Sequence, residues 1–157
     1  MTRSYGYTII EILVVLVVMG LTFTLGFVGF RDFARKQALN TVAAEIKADI
    51  TLAQEQALSG KKPSGCVGYL RGFSLSVYAD TASYIIRAVC DNLIDVSQKS
   101  YADSGVSLSL SGPNPLIFKT LGQGTNIDSG SQAVIQITQQ TTNNYQLVTI
   151  GSNGEIN

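Results

Sequence analysis

The sequence has no histidine and no tryptophan, only two cysteines and three prolines, and charged residues make up 14% of its 157 positions. Without histidine there is no imidazole to serve as acid or base near neutral pH, and two cysteines alone cannot complete a common zinc site. No catalytic residue, metal ligand or cofactor site is therefore expected, and the chain does not read as an enzyme. A large charge of one sign is missing too: eleven Lys and Arg balance eleven Asp and Glu. From Ser59 to Asn157 the balance is again even, six against six, so no field draws nucleic acid or an acidic surface to the chain. The length suits one domain of ordinary size with an accessory segment.

What is abundant is apolar sequence near the start. Thirty-three of the first 58 residues are apolar, against 38 of the remaining 99. From Ile12 to Phe30 run nineteen residues without a formal charge, and as a helix this run nearly matches a bilayer core of about 30 Å. A cleavable secretory signal has a shorter apolar stretch and a small-residue cleavage site behind it. Here the run continues through Arg31, Asp32, Arg35 and Lys36 into more helical sequence, so a retained, membrane-spanning segment is expected over residues 7–30. Gly20, Gly26 and Gly29 suit either a plain anchor or close packing against other helices.

Beyond Arg31 the pattern turns amphipathic. Leu39, Val42, Ile46, Ile50, Ala53 and Ala57 recur at steps of three and four, with Asn40, Glu45, Lys47, Asp49, Gln54 and Glu55 on other faces. Nothing between Tyr7 and Leu58 breaks the helix, whose 52 residues would extend about 78 Å. Its second part, residues 31–58, is expected to pack on a globular domain at 59–157, with an intersubunit role for the stripe as the alternative. Ser59 to Gly65 (SGKKPSG) is the stop and linker.

From Cys66 onward the period shortens to two. Phe73, Leu75 and Val77 alternate with serines and a tyrosine, and Val106, Leu108 and Leu110 alternate with serines. Short apolar runs at Tyr84 to Cys90, Leu116 to Phe118, Val134 to Ile137 and Tyr145 to Ile150 raise the count to five to seven strands. The fold class predicted is α+β, with the long N-terminal helix lying across an antiparallel sheet. The Thr/Gln/Asn tract from Thr138 to Asn144 reads as an exposed hairpin loop, with adhesion as its other use. Cys66 and Cys90, each placed at a strand end, form either a disulfide outside the cytosol or two buried thiols.

The start of the chain, Met1-Thr2-Arg3-Ser4-Tyr5-Gly6 followed by Tyr7-Thr8-Ile9-Ile10-Glu11-Ile12-Leu13, carries the sharpest signal. A carboxylate beside a membrane span needs a reason, since an acid at the centre of an inserting helix costs about 2.5 to 3.5 kcal/mol. Thr8-x-x-Glu11 has capping-box spacing, which supplies one. It leaves the short polar leader ending in Gly6, directly before an aromatic residue, without an account. That combination resembles the class III signal peptide of type IV pilins and type II secretion pseudopilins. The resemblance implies cleavage between Gly6 and Tyr7 by a prepilin peptidase, N-methylation of Tyr7, and a role in filament assembly for Glu11, paired with the new amine of a neighbouring subunit. Two departures are Tyr7, where Phe is commonest, and Val28, where many type IV pilins have a kinking Pro; the second leans towards pseudopilins and minor pilins.

The order of elements after the helix, with Ile117-Phe118 ahead of Gly122 and Val148-Thr149-Ile150 before Gly154, is similar to the GspH/FimT group of minor pseudopilins and minor pilins. The resemblance implies a pilin-like fold and a non-catalytic filament subunit of a type IV pilus or type II secretion system. It places the chain in the inner (cytoplasmic) membrane as a single-pass protein with its globular domain outside the cytoplasm, and then in a pilus or pseudopilus. Its partners are then the membrane, the prepilin peptidase and other pilin or pseudopilin subunits. The alternatives are a DNA-uptake minor pilin and a membrane-anchored β-domain that binds a ligand outside the cell. DNA is not expected as a partner, because the basic stretch found near the carboxy terminus of DNA-capturing FimT-like proteins is replaced by Gly154-Glu155-Ile156-Asn157.

Overall fold

The computed structural model describes residues 7–157, with the side chains of all but 25–29 and 32. One helix and seven strands follow in order: α1 (Ile9–Leu58), β1 (Gly72–Tyr78), β2 (Ser83–Val89), β3 (Leu93–Ser100), β4 (Val106–Ser111), β5 (Leu116–Lys119), β6 (Gln132–Gln139) and β7 (Tyr145–Gly151). The chain divides into two compact units, the first ending at Gln37 and the second running from Ala38 to Asn157, so α1 contributes residues to both.

The second unit is built on the stripe predicted from the helical period. Leu39, Val42, Ile46, Ile50, Ala53 and Ala57 are all buried, with Ile50 fully so. They meet two antiparallel sheets where the sequence predicts one. The first has strand order β3-β2-β1-β5 and the second β4-β6-β7. Strand pairing stacks the inward residues in rows, because opposed residues of an antiparallel pair point to the same face. In the first sheet Ala88, Phe73 and Phe118 form one row and Ile86, Leu75 and Leu116 the next. In the second, Leu110, Ile135 and Val148 form a row, beside Ala133 with Ile150. Both faces and the helix stripe join in a single hydrophobic cluster. Every buried side chain among the described residues lies in this unit, which thus carries a complete core of its own.

The strand β3 has no counterpart in the sequence reading. Its residues are exposed or half-buried throughout, so Leu-Ile-Asp-Val-Ser-Gln-Lys-Ser shows no period-two alternation of apolar and polar residues. It pairs with β2 as the outermost strand of its sheet, and a register shift between Ile86 and Arg87 leaves Val96 as the extra residue of a bulge. Cys66 also departs from expectation: it lies in the loop ahead of β1, and only Cys90 sits at a strand end. The Thr/Gln/Asn tract does form the β6–β7 hairpin turn, although Thr138 and Gln139 belong to β6.

Candidate functional site

Of the residues singled out at the amino terminus, Glu11 falls in the first turn of α1 and Tyr7 lies two residues ahead of the helix. Thr8 precedes the helix, and the Glu11 N–H donates to Thr8 Oγ1 at 3.4 Å and to the Thr8 carbonyl at 3.1 Å. This is the first half of the capping box, which supplies a free helical N–H with an acceptor. The Glu11 side chain is exposed in the turn where the helix dipole favours an anion. Tyr7 is 78% exposed. Gly6 and the rest of the leader lie outside the described residues.

Among the described residues of the first unit no side chain is buried. Ile9, Ile10, Leu13, Leu16, Leu21 and Phe23 are all exposed, a surface that water does not favour at roughly 25 cal/mol per Å². Among the described residues no helix is long and apolar enough to cross a membrane. The predicted run Ile12–Phe30 includes 25–29, whose side chains are outside the description.

In the second unit a polar clamp ties α1 to the first sheet. The Tyr84 hydroxyl donates to Asp49 Oδ2 at 2.8 Å, the Ser97 hydroxyl donates to the same oxygen at 3.1 Å, and the Tyr101 hydroxyl donates to Glu45 Oε2 at 2.9 Å. Lys99 Nζ lies 3.3 Å from Asp49 Oδ2 and 3.9 Å from Glu45 Oε2. The rings of Tyr84 and Tyr101 stack with centroids 6.3 Å apart. Sequence reasoning placed Glu45 and Asp49 on the polar faces of α1 and found no partner for them, because those partners are 35 to 56 residues away.

Burial, and then the hydrogen bond to Asp49, hold the Tyr84 phenol well above its ordinary value. Burial, and then the bond to Glu45, push Tyr101 up to about 12. Both shifts favour the neutral phenol in the folded state. Their contribution to stability is complete below the unfolded value near pH 10, and for Tyr101 it is lost between there and about pH 12. Thermal unfolding followed between pH 8 and 12 should therefore show stability falling above pH 10, by up to about 1.4 kcal/mol per pH unit for each phenol. Tyr101→Phe should flatten that fall. An unchanged alkaline slope in the variant would assign the fall to other groups.

Cys66 and Cys90 form a disulfide with Cα atoms 5.8 Å apart. Asn92 fastens the same loop a second time: its Oδ1 accepts from the Val67 N–H at 2.9 Å and its Nδ2 donates to the Gly65 carbonyl at 3.0 Å. Asn114 does likewise with both backbone groups of Val77, and Asn126 with the Ile117 N–H and Pro115 carbonyl. The clamp residues were not legible beforehand, since an asparagine in a turn-rich stretch looks the same whether it faces water or a strand.

Four of the six basic residues of the globular half have partners. Arg71 pairs with Asp91 at 3.3 Å, Arg87 with Asp95 at 2.6 Å and Lys99 with Asp49, while Lys62 Nζ donates to the Gly68 carbonyl at 2.8 Å. Among the described residues no three Cys, Asp or Glu side chains stand together as a metal-holding group.

No family model and no curated protein matches the sequence. A solved structure does match: the minor pseudopilin EpsH from the Type 2 Secretion System of Vibrio cholerae, with a TM-score of 0.56 and 15% identity over 76% of this chain and 94% of that chain. At this identity the likeness is one of fold, and it matches what the sequence predicts: an N-terminal helix followed by antiparallel β-structure, the α+β pilin-like architecture.

Proposed function

We propose that this chain is a non-catalytic minor pilin or minor pseudopilin, a subunit of a filament drawn from the membrane. The observation that carries the reading is the pilin-like fold shared with a minor pseudopilin over nearly the whole of that protein. The start of α1 supports it independently, with Tyr7 exposed just ahead of the helix, Glu11 exposed in its first turn, and an apolar surface running on from them. The prepilin peptidase cuts between Gly6 and Tyr7 and the new amine is methylated. Residues 7–30 anchor the subunit in the inner membrane, with the globular unit outside the cytoplasm. On assembly the apolar helix exchanges lipid for the helices of neighbouring subunits, a solvent change that costs little because both surroundings are apolar.

Intact-mass analysis of protein from native membranes tests processing: a chain starting at methylated Tyr7 is expected, and an uncut Met1 in cells with an active prepilin peptidase would remove the reading. Gly6→Leu should leave the protein uncut in the membrane. Glu11→Ala separates the two accounts of the carboxylate. Insertion improves when a charge is removed, whereas loss of an intersubunit pair with the Tyr7 amine should lower filament incorporation by more than about tenfold. Equal crosslinking of variant and parent into filaments would leave helix capping as the whole role of Glu11.

A further inference from the structure

The outer edge of β7 is closed over half its length and open over the rest. The Thr149 N–H donates to the Asn157 carbonyl at 3.0 Å, the Asn157 N–H donates back to Thr149 at 2.9 Å, and the Gly151 N–H donates to Glu155 at 2.8 Å. With the antiparallel bridge between Ile150 and Ile156, residues 155–157 act as a short added strand. Backbone groups alternate along a strand, so if Thr149 and Gly151 face outward, Tyr145 and Leu147 do too, while Gln146, Val148 and Ile150 bond to β6. Among the described residues no hydrogen bond reaches the outward N–H and C=O groups of Tyr145 and Leu147.

An open edge invites another strand unless something defends it. The edge strand β5 is defended by the Asn126 side chain on the Ile117 N–H, 2.7 Å, and by the bridge from Phe118 to Thr125. The edge strand β3 carries Asp95, Lys99 and the bulge at Val96. The strand β7 has none of these devices. No charged residue occurs from Ser129 to Gly154, and Tyr145 and Leu147 are 60% and 47% exposed.

We infer that the Tyr145–Val148 edge pairs antiparallel with the same edge of a second copy of this chain. The edge already accepts one antiparallel strand, from its own residues 155–157, and β7 is complementary to itself. With a two-fold axis at Gln146, Tyr145 exchanges both backbone bonds with Leu147 of the partner subunit, and Leu147 with the partner's Tyr145. The two large side chains then cover each other across the strands on the outer face. An uncharged strand meets no repulsion in this arrangement. Asn157 on Thr149 ends the open window, so the contact is short and the association weak.

The second unit, Ala38–Asn157, carries a complete core and is the protein to test. Sedimentation equilibrium should show its average mass rising towards that of a dimer as concentration increases from about 10 μM to 1 mM, as small interfaces require. Gln146→Cys places two cysteines at a non-hydrogen-bonded position with Cα atoms about 4.5 Å apart, within disulfide range. Mild oxidation should give at least tenfold more covalent dimer than Gln132→Cys, an exposed control on β6. Adding Leu147→Pro removes an N–H that β6 does not use, so it should abolish the crosslink while the domain stays folded. Leu147→Lys serves if the proline variant does not fold. A monomer at 1 mM, crosslinking no better than the control, or crosslinking indifferent to both changes at Leu147 would overturn the pairing. Exclusive crosslinking of the Gln146→Cys variant, in the native envelope, to a chain of different mass would overturn it in favour of a foreign strand.

Discussion

Gly72→Ala is expected to cost the second unit about 3 kcal/mol or more, at the upper end of what overpacking does in a core. Gly72 opens β1 and pairs with Val89 on one side and Lys119 on the other. A Cβ there would stand 2.2 Å from the Phe118 carbonyl oxygen and 3.1 Å from its carbon, both backbone atoms. A flexible side chain can swing aside, but a strand carbonyl moves only if β1 and β5 separate. Their separation would loosen the row in which Phe73 faces Phe118, two of the buried aromatic residues of the core. The cost is chiefly steric, and φ at Gly72, +158°, adds backbone strain for a residue with a Cβ. Gly130→Ala provides the contrast: its φ is +82° but nothing lies within 4 Å of the added methyl. That change should cost only the left-handed penalty of about 1–2 kcal/mol. Urea unfolding of Ala38–Asn157 measures both, and a Gly72→Ala midpoint no lower than that of Gly130→Ala would mean that the two strands can part freely.

Replacing Cys66 and Cys90 together by serine is expected to lower stability by about 3.5 kcal/mol, the chain-entropy estimate for a loop of this size. In a unit of this length such a loss moves the melting temperature by roughly 10–15 °C. The loop itself should remain near its place. Asn92 holds Val67 and Gly65, the Asp91 N–H donates to the Val67 carbonyl at 3.1 Å, and the Cys90 N–H donates to the Asn92 carbonyl at 2.9 Å. Melting with and without reductant measures the loss, and amide exchange at Val67 tests the local prediction. Rapid exchange there in the folded double variant would mean that the disulfide, and not Asn92, orders the loop. A melting temperature insensitive to reductant would set aside the cross-link as a source of stability.

Features whose cause is local were settled by the order of residues alone. A stripe repeating every three or four residues can be buried only as one face of a helix, and all six stripe residues from Leu39 to Ala57 are in the core. Alternation of apolar residues with serine marked β1 and β4, whose residues Phe73, Leu75, Val77, Val106 and Leu108 are buried, and turn-rich stretches separated most of the other strands. The amino-terminal pattern on which the processing proposal rests is local too, since leader, glycine, aromatic residue and carboxylate follow one another within eleven positions. Tertiary structure decided what depends on distant partners. Which strand lies beside which divided one expected sheet into two, because a strand's alternation names its buried face but not its neighbour. The outermost strand β3 could be recognised only once β2 was there to pair with it, having no buried face to leave a pattern. Asp49 and Glu45 became a clamp, and Asn92, Asn114 and Asn126 became backbone substitutes, through contacts spanning nine to 56 residues. The open edge of β7 belongs to the same class, because whether a strand has a second neighbour is a property of the sheet and is not fixed by the strand's own alternation.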